Sequence, residues 1–155
     1  MKKLDALAPR TLLLGAGVLL FIDTFLPWQK VSFDFGDNAS VSASRNAWHG
    51  FWGVVLGLMV IALILLVGAR MAKVALPEAI PYGRLVLGLA ALILLFAVLK
   101  NLFDDFSAWG SYLGIALAAA VVLGAWRHFA ETGETLPAQV ASALRQDPAE
   151  AQGED

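Results

Sequence analysis

Four stretches of the chain are almost continuously apolar, and shorter, more polar segments separate them. The stretches cover about residues 11–28, 48–69, 85–103 and 109–129. Each comes close to the roughly 20 apolar residues that a helix needs to cross a hydrocarbon core about 30 Å thick. They lack the alternation of apolar and polar residues that is typical of membrane barrel strands. The pattern therefore predicts an all-α membrane protein, a bundle of four transmembrane helices.

The segment between the first two stretches has a different pattern, in which apolar and polar residues alternate. Val31–Phe35 alternates clearly, and Gly36-Asp37-Asn38 after it favours a turn. This predicts a short β-hairpin between helices 1 and 2, with Val31–Phe35 paired to about Ser40–Ser44. A two-stranded hairpin is marginal in water, so we expect the apolar side of its first strand to face the helix ends or the bilayer. A disordered loop is the alternative.

Lysine and arginine residues fall mainly on one side of the predicted membrane. With the N-terminus inside, most of the 11 lie in cytoplasmic segments, and those at or near the outside are Lys30, Arg45 and Lys100. This bias predicts a multi-pass protein of the inner (plasma) membrane with both termini in the cytoplasm and the hairpin outside. Tryptophans favour the headgroup level, and four of them cluster at the outer boundary: Trp28, Trp48, Trp52 and Trp109.

The overall composition supports a membrane location and excludes several kinds of site. Apolar residues make up 59% and charged residues 15%, against about 45–50% and about 25% in soluble proteins. The net charge of −2 gives no sign of nucleic-acid binding, and the absence of cysteine excludes disulfides and thiolate metal sites. Residues 130–155 are polar and acidic, which is typical of a disordered cytoplasmic tail. No catalytic or cofactor motif is present, so we expect neither an enzyme nor a cofactor.

Two charged residues interrupt the apolar stretches near their outer ends, Asp23 in the first and Lys100 in the third. A charge inside a span is a functional hypothesis by default, and two opposite charges at one depth suggest an intramembrane pair. Alternatively, Asp23 is hydrated or caps local backbone, while Lys100 extends toward the headgroups or pairs with Asp104. His49, Asp104 and Asp105 share the outer face, but their spacing matches no ligand pattern, so no metal site is expected.

Two small-xxx-small motifs lie in the outer halves of the second and fourth stretches. They are formed by Gly53 and Gly57 and by Gly110 and Gly114, and Ala118 extends the second by one turn. Small residues let helix backbones approach closely, but such a motif does not name its partner. Packing within the bundle is the favoured interpretation, and oligomerisation is the alternative.

Leu26-Pro27-Trp28 ends the first stretch, and Trp48-His49-Gly50-Phe51 opens the second. These motifs resemble those of a widespread class of uncharacterised bacterial four-span membrane proteins that carry LPW at the end of helix one. The resemblance covers the first third of the chain, and it implies a fold and a membrane location but no activity. Claudin-like four-span proteins are similar in layout alone, since this chain lacks their cysteine pair.

The expected function is that of a non-enzymatic scaffold or accessory subunit in the lipid bilayer. It would present its outer loop and tail to a membrane-protein partner, or form a homodimer. Residues 53–68 and 113–125 are nearly free of polar side chains, whereas a substrate pathway normally needs polar groups or broken helices near the midplane. The alternative is a small dimeric transporter or channel in which Asp23 and Lys100 take part in gating or proton coupling.

Overall fold

The computed structural model describes residues 8–34, 40–74, 81–103 and 106–132. Within these ranges the chain forms four helices and one antiparallel hairpin, so the predicted combination of helices and hairpin is confirmed. The turn of the hairpin, Asp104, Asp105 and the tail from residue 133 lie outside the described residues. The elements are α1 (Pro9–Asp23), β1 (Pro27–Asp34), β2 (Ser40–Asn46), α2 (Gly50–Met71), α3 (Tyr82–Phe103) and α4 (Trp109–Thr132).

Three of the described helices are long and apolar enough to cross a membrane: α2, α3 and α4, with 22, 22 and 24 residues. The first helix has 15 residues and is therefore about 22 Å long, shorter than a hydrocarbon core. It ends at Asp23, whereas the first apolar stretch continues to Trp28. Pro27 explains why the helix does not continue to Trp28, because a proline ring in a helix would clash with the carbonyl four residues earlier, that of Asp23, and proline also disfavours a helical conformation in Leu26. The count of four spans stays a prediction that depends on α1.

The four helices form a closed ring in which α1 contacts α2 and α4, and α3 contacts the same two helices. Across the described residues, α1 and α3 stand diagonally opposite each other. The buried positions recur every three or four residues, as the period of an α-helix requires. They include Leu13, Ala16 and Leu20 of α1, Leu56, Val60, Leu63 and Val67 of α2, Val86, Ala90, Ile93 and Ala97 of α3, and Ala118, Val121, Ala125 and Phe129 of α4.

The outward faces of the helices are also apolar. Their exposed side chains include Leu19, Leu58, Leu65, Leu92, Leu95 and Leu123. A soluble protein rarely exposes so large an apolar surface, whereas lipid chains solvate it at no cost. The burial pattern thus agrees with the membrane location that the three long helices indicate.

The hairpin pairs Val31 with Ala43 and Phe33 with Val41, and it extends down to Pro27 and Asn46. It is longer at its helix-proximal end than the alternating pattern predicts. On its other side β1 forms a bridge from Gln29 to Ser107. The amide of Lys30 donates to the carbonyl of Phe106 (3.1 Å), and the amide of Ala108 donates to the carbonyl of Trp28 (2.7 Å). β1 is therefore the central strand, held between β2 and the connection from α3 to α4.

Candidate functional site

Two tryptophans attach the two ends of the hairpin to the end of α1. The indole Nε1 of Trp28 donates to the carbonyl of Asp23 (3.0 Å) and to its carboxylate Oδ2 (3.1 Å). The indole Nε1 of Trp48 donates to the hydroxyl of Thr24 (3.0 Å), and that hydroxyl donates in turn to the carbonyl of Phe21 (2.6 Å). Both indoles bond to neighbouring residues at the end of α1. The base of the hairpin is therefore attached to α1 twice, once at the start of β1 and once just after the end of β2.

Each tryptophan lies on a glycine of one of the small-xxx-small motifs. On α4, a Cβ added at Gly114 would collide with the ring of Trp28. On α2, a Cβ added at Gly57 would lie 2.5 Å from the ring of Trp48. The glycines therefore provide the space that the two indole rings occupy.

The first glycine of each motif accommodates backbone. A Cβ at Gly53 would collide with the carbonyl oxygen of Ala47, and one at Gly110 would lie 2.5 Å from the carbonyl oxygen of Pro27. On each helix, therefore, the first glycine contacts a backbone carbonyl and the glycine four residues later contacts the indole ring of the next residue in the chain. This arrangement occurs once on α2 and once on α4. Both motifs therefore pack against the base of the hairpin in the same chain. Ala118, one turn further along α4, lies in the core of the bundle.

Asp23 and Lys100 are both buried, each with 1% of its surface exposed. Besides its bond from Trp28, Asp23 has one carboxylate oxygen, Oδ1, without a hydrogen-bond partner among the described residues. Lys100 Nζ donates to the carbonyl of His49, the N-cap residue of α2, at 3.1 Å. The two side chains therefore have separate described partners on diagonal helices, and their direct pairing stays a prediction.

A groove lies at this end of the bundle between the face of the hairpin and the end of α3; we call it the hairpin groove. Its volume is about 540 Å³. One face of β1 and β2 forms one side, and Phe103 at the end of α3 forms the other together with Phe106. The described lining residues are Gln29, Val31, Phe33, Ala43, Arg45, Phe103 and Phe106. Two of the three apolar residues expected to face the helix ends, Val31 and Phe33, line this groove; the third, Phe35, lies outside the described residues.

The opposite end of the bundle brings together side chains that the sequence pattern does not connect. The guanidinium of Arg70 lies over the ring of Tyr82, 5.3 Å from its centroid, which is cation–π geometry. Tyr82 in turn packs edge-on against His128 at 5.6 Å. His128 is buried, and sequence analysis gave it no role because its neighbours come from other helices.

The polar residues that the sequence places at the outer face can be compared with the requirements of a metal site. His49 is exposed, and its Nε2 lies 2.7 Å from Nη1 of Arg45. No group of three histidine, aspartate or glutamate side chains suited to a metal ion occurs within the described ranges. Asp104 and Asp105, the other members of the outer polar set, lie outside those ranges.

No protein-family model, curated protein or solved structure matches this chain.

Proposed function

We propose that this protein is a non-enzymatic membrane scaffold or accessory subunit whose hairpin docks a second membrane protein. The attachment of both hairpin ends by Trp28 and Trp48 supports this proposal most directly. An isolated hairpin is marginal in water, and here its base is fixed to the bundle at two points. A fixed docking element binds more tightly than a mobile one, because less conformational entropy is lost on binding.

The proposed topology has four spans, with both termini in the cytoplasm and the hairpin outside. α1 is short for a span, but a bilayer adapts to a short helix by local thinning at modest cost. The Leu26-Pro27-Trp28 segment that follows extends the apolar stretch toward the headgroups. Membership of the four-span class with the LPW motif is part of this proposal.

The outer edge of β2 is the proposed contact for the partner. β1 is paired on both sides, whereas β2 has no strand on its outer edge within the described residues. An extended segment of a partner can add to such an edge through main-chain hydrogen bonds. Ser42 and Ser44 lie on the face of β2 opposite to Ala43 and Arg45, since side chains alternate along a strand. That face and the free edge are both available outside the hairpin groove.

Photo-crosslinking in native membranes tests the docking proposal. A photoreactive residue at Ser42 should give one discrete adduct with a membrane protein. The matched control is Leu65 of α2, which is exposed on an apolar helix face and should label lipid. The Trp48→Leu change should weaken the adduct from Ser42 because it releases one end of the hairpin. An absent or diffuse adduct, or one that is unchanged by Trp48→Leu, would count against the proposal.

A small dimeric transporter or channel is the second candidate. The buried Asp23, with an oxygen that has no hydrogen-bond partner among the described residues, favours it, since intramembrane carboxylates often mark ion or proton paths. Lys100 would be the second participating charge. In proteoliposomes, Asp23→Asn should abolish a measured flux without lowering thermal stability. If Asp23→Asn and Lys100→Met lower stability additively and no flux is seen, the scaffold proposal is preferred.

A further inference from the structure

The hairpin groove has the size and the lining of a ligand site. Its volume of about 540 Å³ falls within the range of about 300–1,000 Å³ that small-molecule sites occupy. Such sites are mainly apolar and contain a few polar groups that fix the orientation of the ligand. Here the apolar groups are three phenylalanines, and the polar ones are Gln29 and Arg45.

The three phenylalanines are largely exposed around this one groove. The exposed fractions are 60% for Phe33 and 66% each for Phe103 and Phe106. A contiguous exposed apolar patch marks an interaction site or a membrane contact. Phe106 also adopts a φ of +61°, an uncommon value for a bulky residue, while its carbonyl is fixed by Lys30. The chain therefore holds this ring at the groove despite an unfavourable backbone conformation.

Arg45 is the charged residue among the described lining residues of the groove. It pairs across the hairpin with Gln29, and its Nη1 lies 2.7 Å from Nε2 of His49. With His49 as the acceptor, this hydrogen bond orients the guanidinium plane and uses one of its five N–H groups. A guanidinium binds a phosphate through two parallel hydrogen bonds. No described lining residue carries a negative charge that would compete.

The position of the groove determines which ligand reaches it. Phe103 is the last residue of α3, a helix able to cross a membrane, so the groove lies where that membrane meets water. Acyl chains and phosphate headgroups are the apolar and anionic groups found together at this depth. We propose that the hairpin groove binds one phospholipid of the leaflet on the hairpin side, with an acyl chain on the phenylalanines and the phosphate at Arg45. This site does not depend on the scaffold proposal, since it needs only that α3 crosses the membrane.

Native mass spectrometry of the full chain in a delipidating detergent tests the site, with phosphatidylglycerol as the probe. The wild-type protein should retain one phosphatidylglycerol. Arg45→Gln should reduce that retention about tenfold, the effect expected from loss of a charge-assisted contact. Lys30→Gln is the matched control, because Lys30 is an exposed cation of β1 outside the groove lining, and it should leave retention unchanged.

Further measurements separate the two halves of the proposed site. Phe33→Ser should also lower retention, while the thermal stability should stay close to wild type because Phe33 is mostly exposed. Diacylglycerol, which has chains but no phosphate, and inorganic phosphate, which has no chain, should each be retained less well than phosphatidylglycerol. Equal retention of diacylglycerol or of inorganic phosphate would overturn the proposal. So would undiminished phosphatidylglycerol on the Arg45→Gln variant, or equal loss on the Lys30→Gln variant.

Discussion

At the level of single residues, the contacts that fix the hairpin depend on two glycines that have no side chain. Gly57 and Gly114 have no side chain, and the space above them holds the rings of Trp48 and Trp28. The two indoles are bound at residues 23 and 24, where α1 ends. A glycine in the middle of a helix costs about 0.5–1 kcal/mol relative to alanine, so these positions give up helix stability in exchange for close packing.

Gly114→Ala should destabilise the protein. The added methyl group would collide with the Trp28 ring and lie 2.6 Å from Oδ2 of Asp23. Overpacking of this kind typically costs about 1–3 kcal/mol. The control is Gly88→Ala on α3, where no atom lies within 4 Å of the added Cβ, and which should be neutral or slightly stabilising. Thermal unfolding in detergent measures both, and equal effects of the two changes would contradict the packing described for Trp28.

Trp28→Phe should destabilise more than Trp48→Phe. Both changes keep an aromatic ring and remove the indole N–H. The first removes the donor to the buried carboxylate of Asp23, whereas the second removes only a donor to the hydroxyl of Thr24, a weaker neutral bond. Loss of a partner by a buried polar group costs about 1–3 kcal/mol, and more when that group is charged. Chemical or thermal unfolding of the two variants in one detergent gives the comparison, and the reverse order would argue against a bond to the Asp23 carboxylate.

At the scale of elements, alternation along the chain was enough to predict the hairpin and its approximate extent. Pairing Val31–Phe35 end to end with Ser40–Ser44 would place Val31 opposite Ser44, whereas the structure pairs Val31 with Ala43, one residue away. The extension of β1 down to Pro27 was not predictable from alternation. It depends on the pairing of β1 with residues 106–108, which lie far away in the sequence and come close only because α3 and α4 are neighbours.

The register can be checked by engineered disulfides, since the chain has no cysteine of its own. Val31→Cys with Ala43→Cys should form a disulfide under mild oxidation, because directly opposed Cβ atoms are about 4.5–5.5 Å apart. Val31→Cys with Ser42→Cys is the control, since these side chains point to opposite faces of the hairpin and should stay reduced. Mass spectrometry distinguishes the two forms. A disulfide in the control pair, with none in the test pair, would indicate a register shifted by one residue.

At the scale of the whole molecule, four helices form a ring with apolar residues inside and outside. The exposed leucines would make such a ring insoluble as a monomer in water. Three of the helices can cross a membrane, and the fourth, α1, contacts both α2 and α4. Since α1 packs along two helices that are long and apolar enough to cross a membrane, the packing supports the proposal that α1 lies in the membrane with them.

The topology of the whole chain is testable with reporter fusions. Fusions after residues 75 and 150 should report the cytoplasm, and a fusion near residue 38 should report the outside, as the distribution of lysine and arginine requires. A cytoplasmic signal at residue 38 would refute this layout as a whole, and it would remove the hairpin from the outer face. A fusion with the reporter in the connection between α3 and α4 should agree with the one at residue 38.

The features that arise from local periodicity were predictable from the order of residues along the chain. Long apolar runs predict helices of membrane length, because a backbone in lipid must bond to itself, and a period of two predicts the hairpin. Three other features became visible only in the folded chain. Gly57 and Gly114 accommodate two indoles, Lys100 donates a hydrogen bond to the carbonyl of His49, and three phenylalanines surround one groove beside Arg45. These contacts join residues that are distant in the chain. Local patterning constrains which face of a helix is buried, but it carries no information about which distant residue will meet that face.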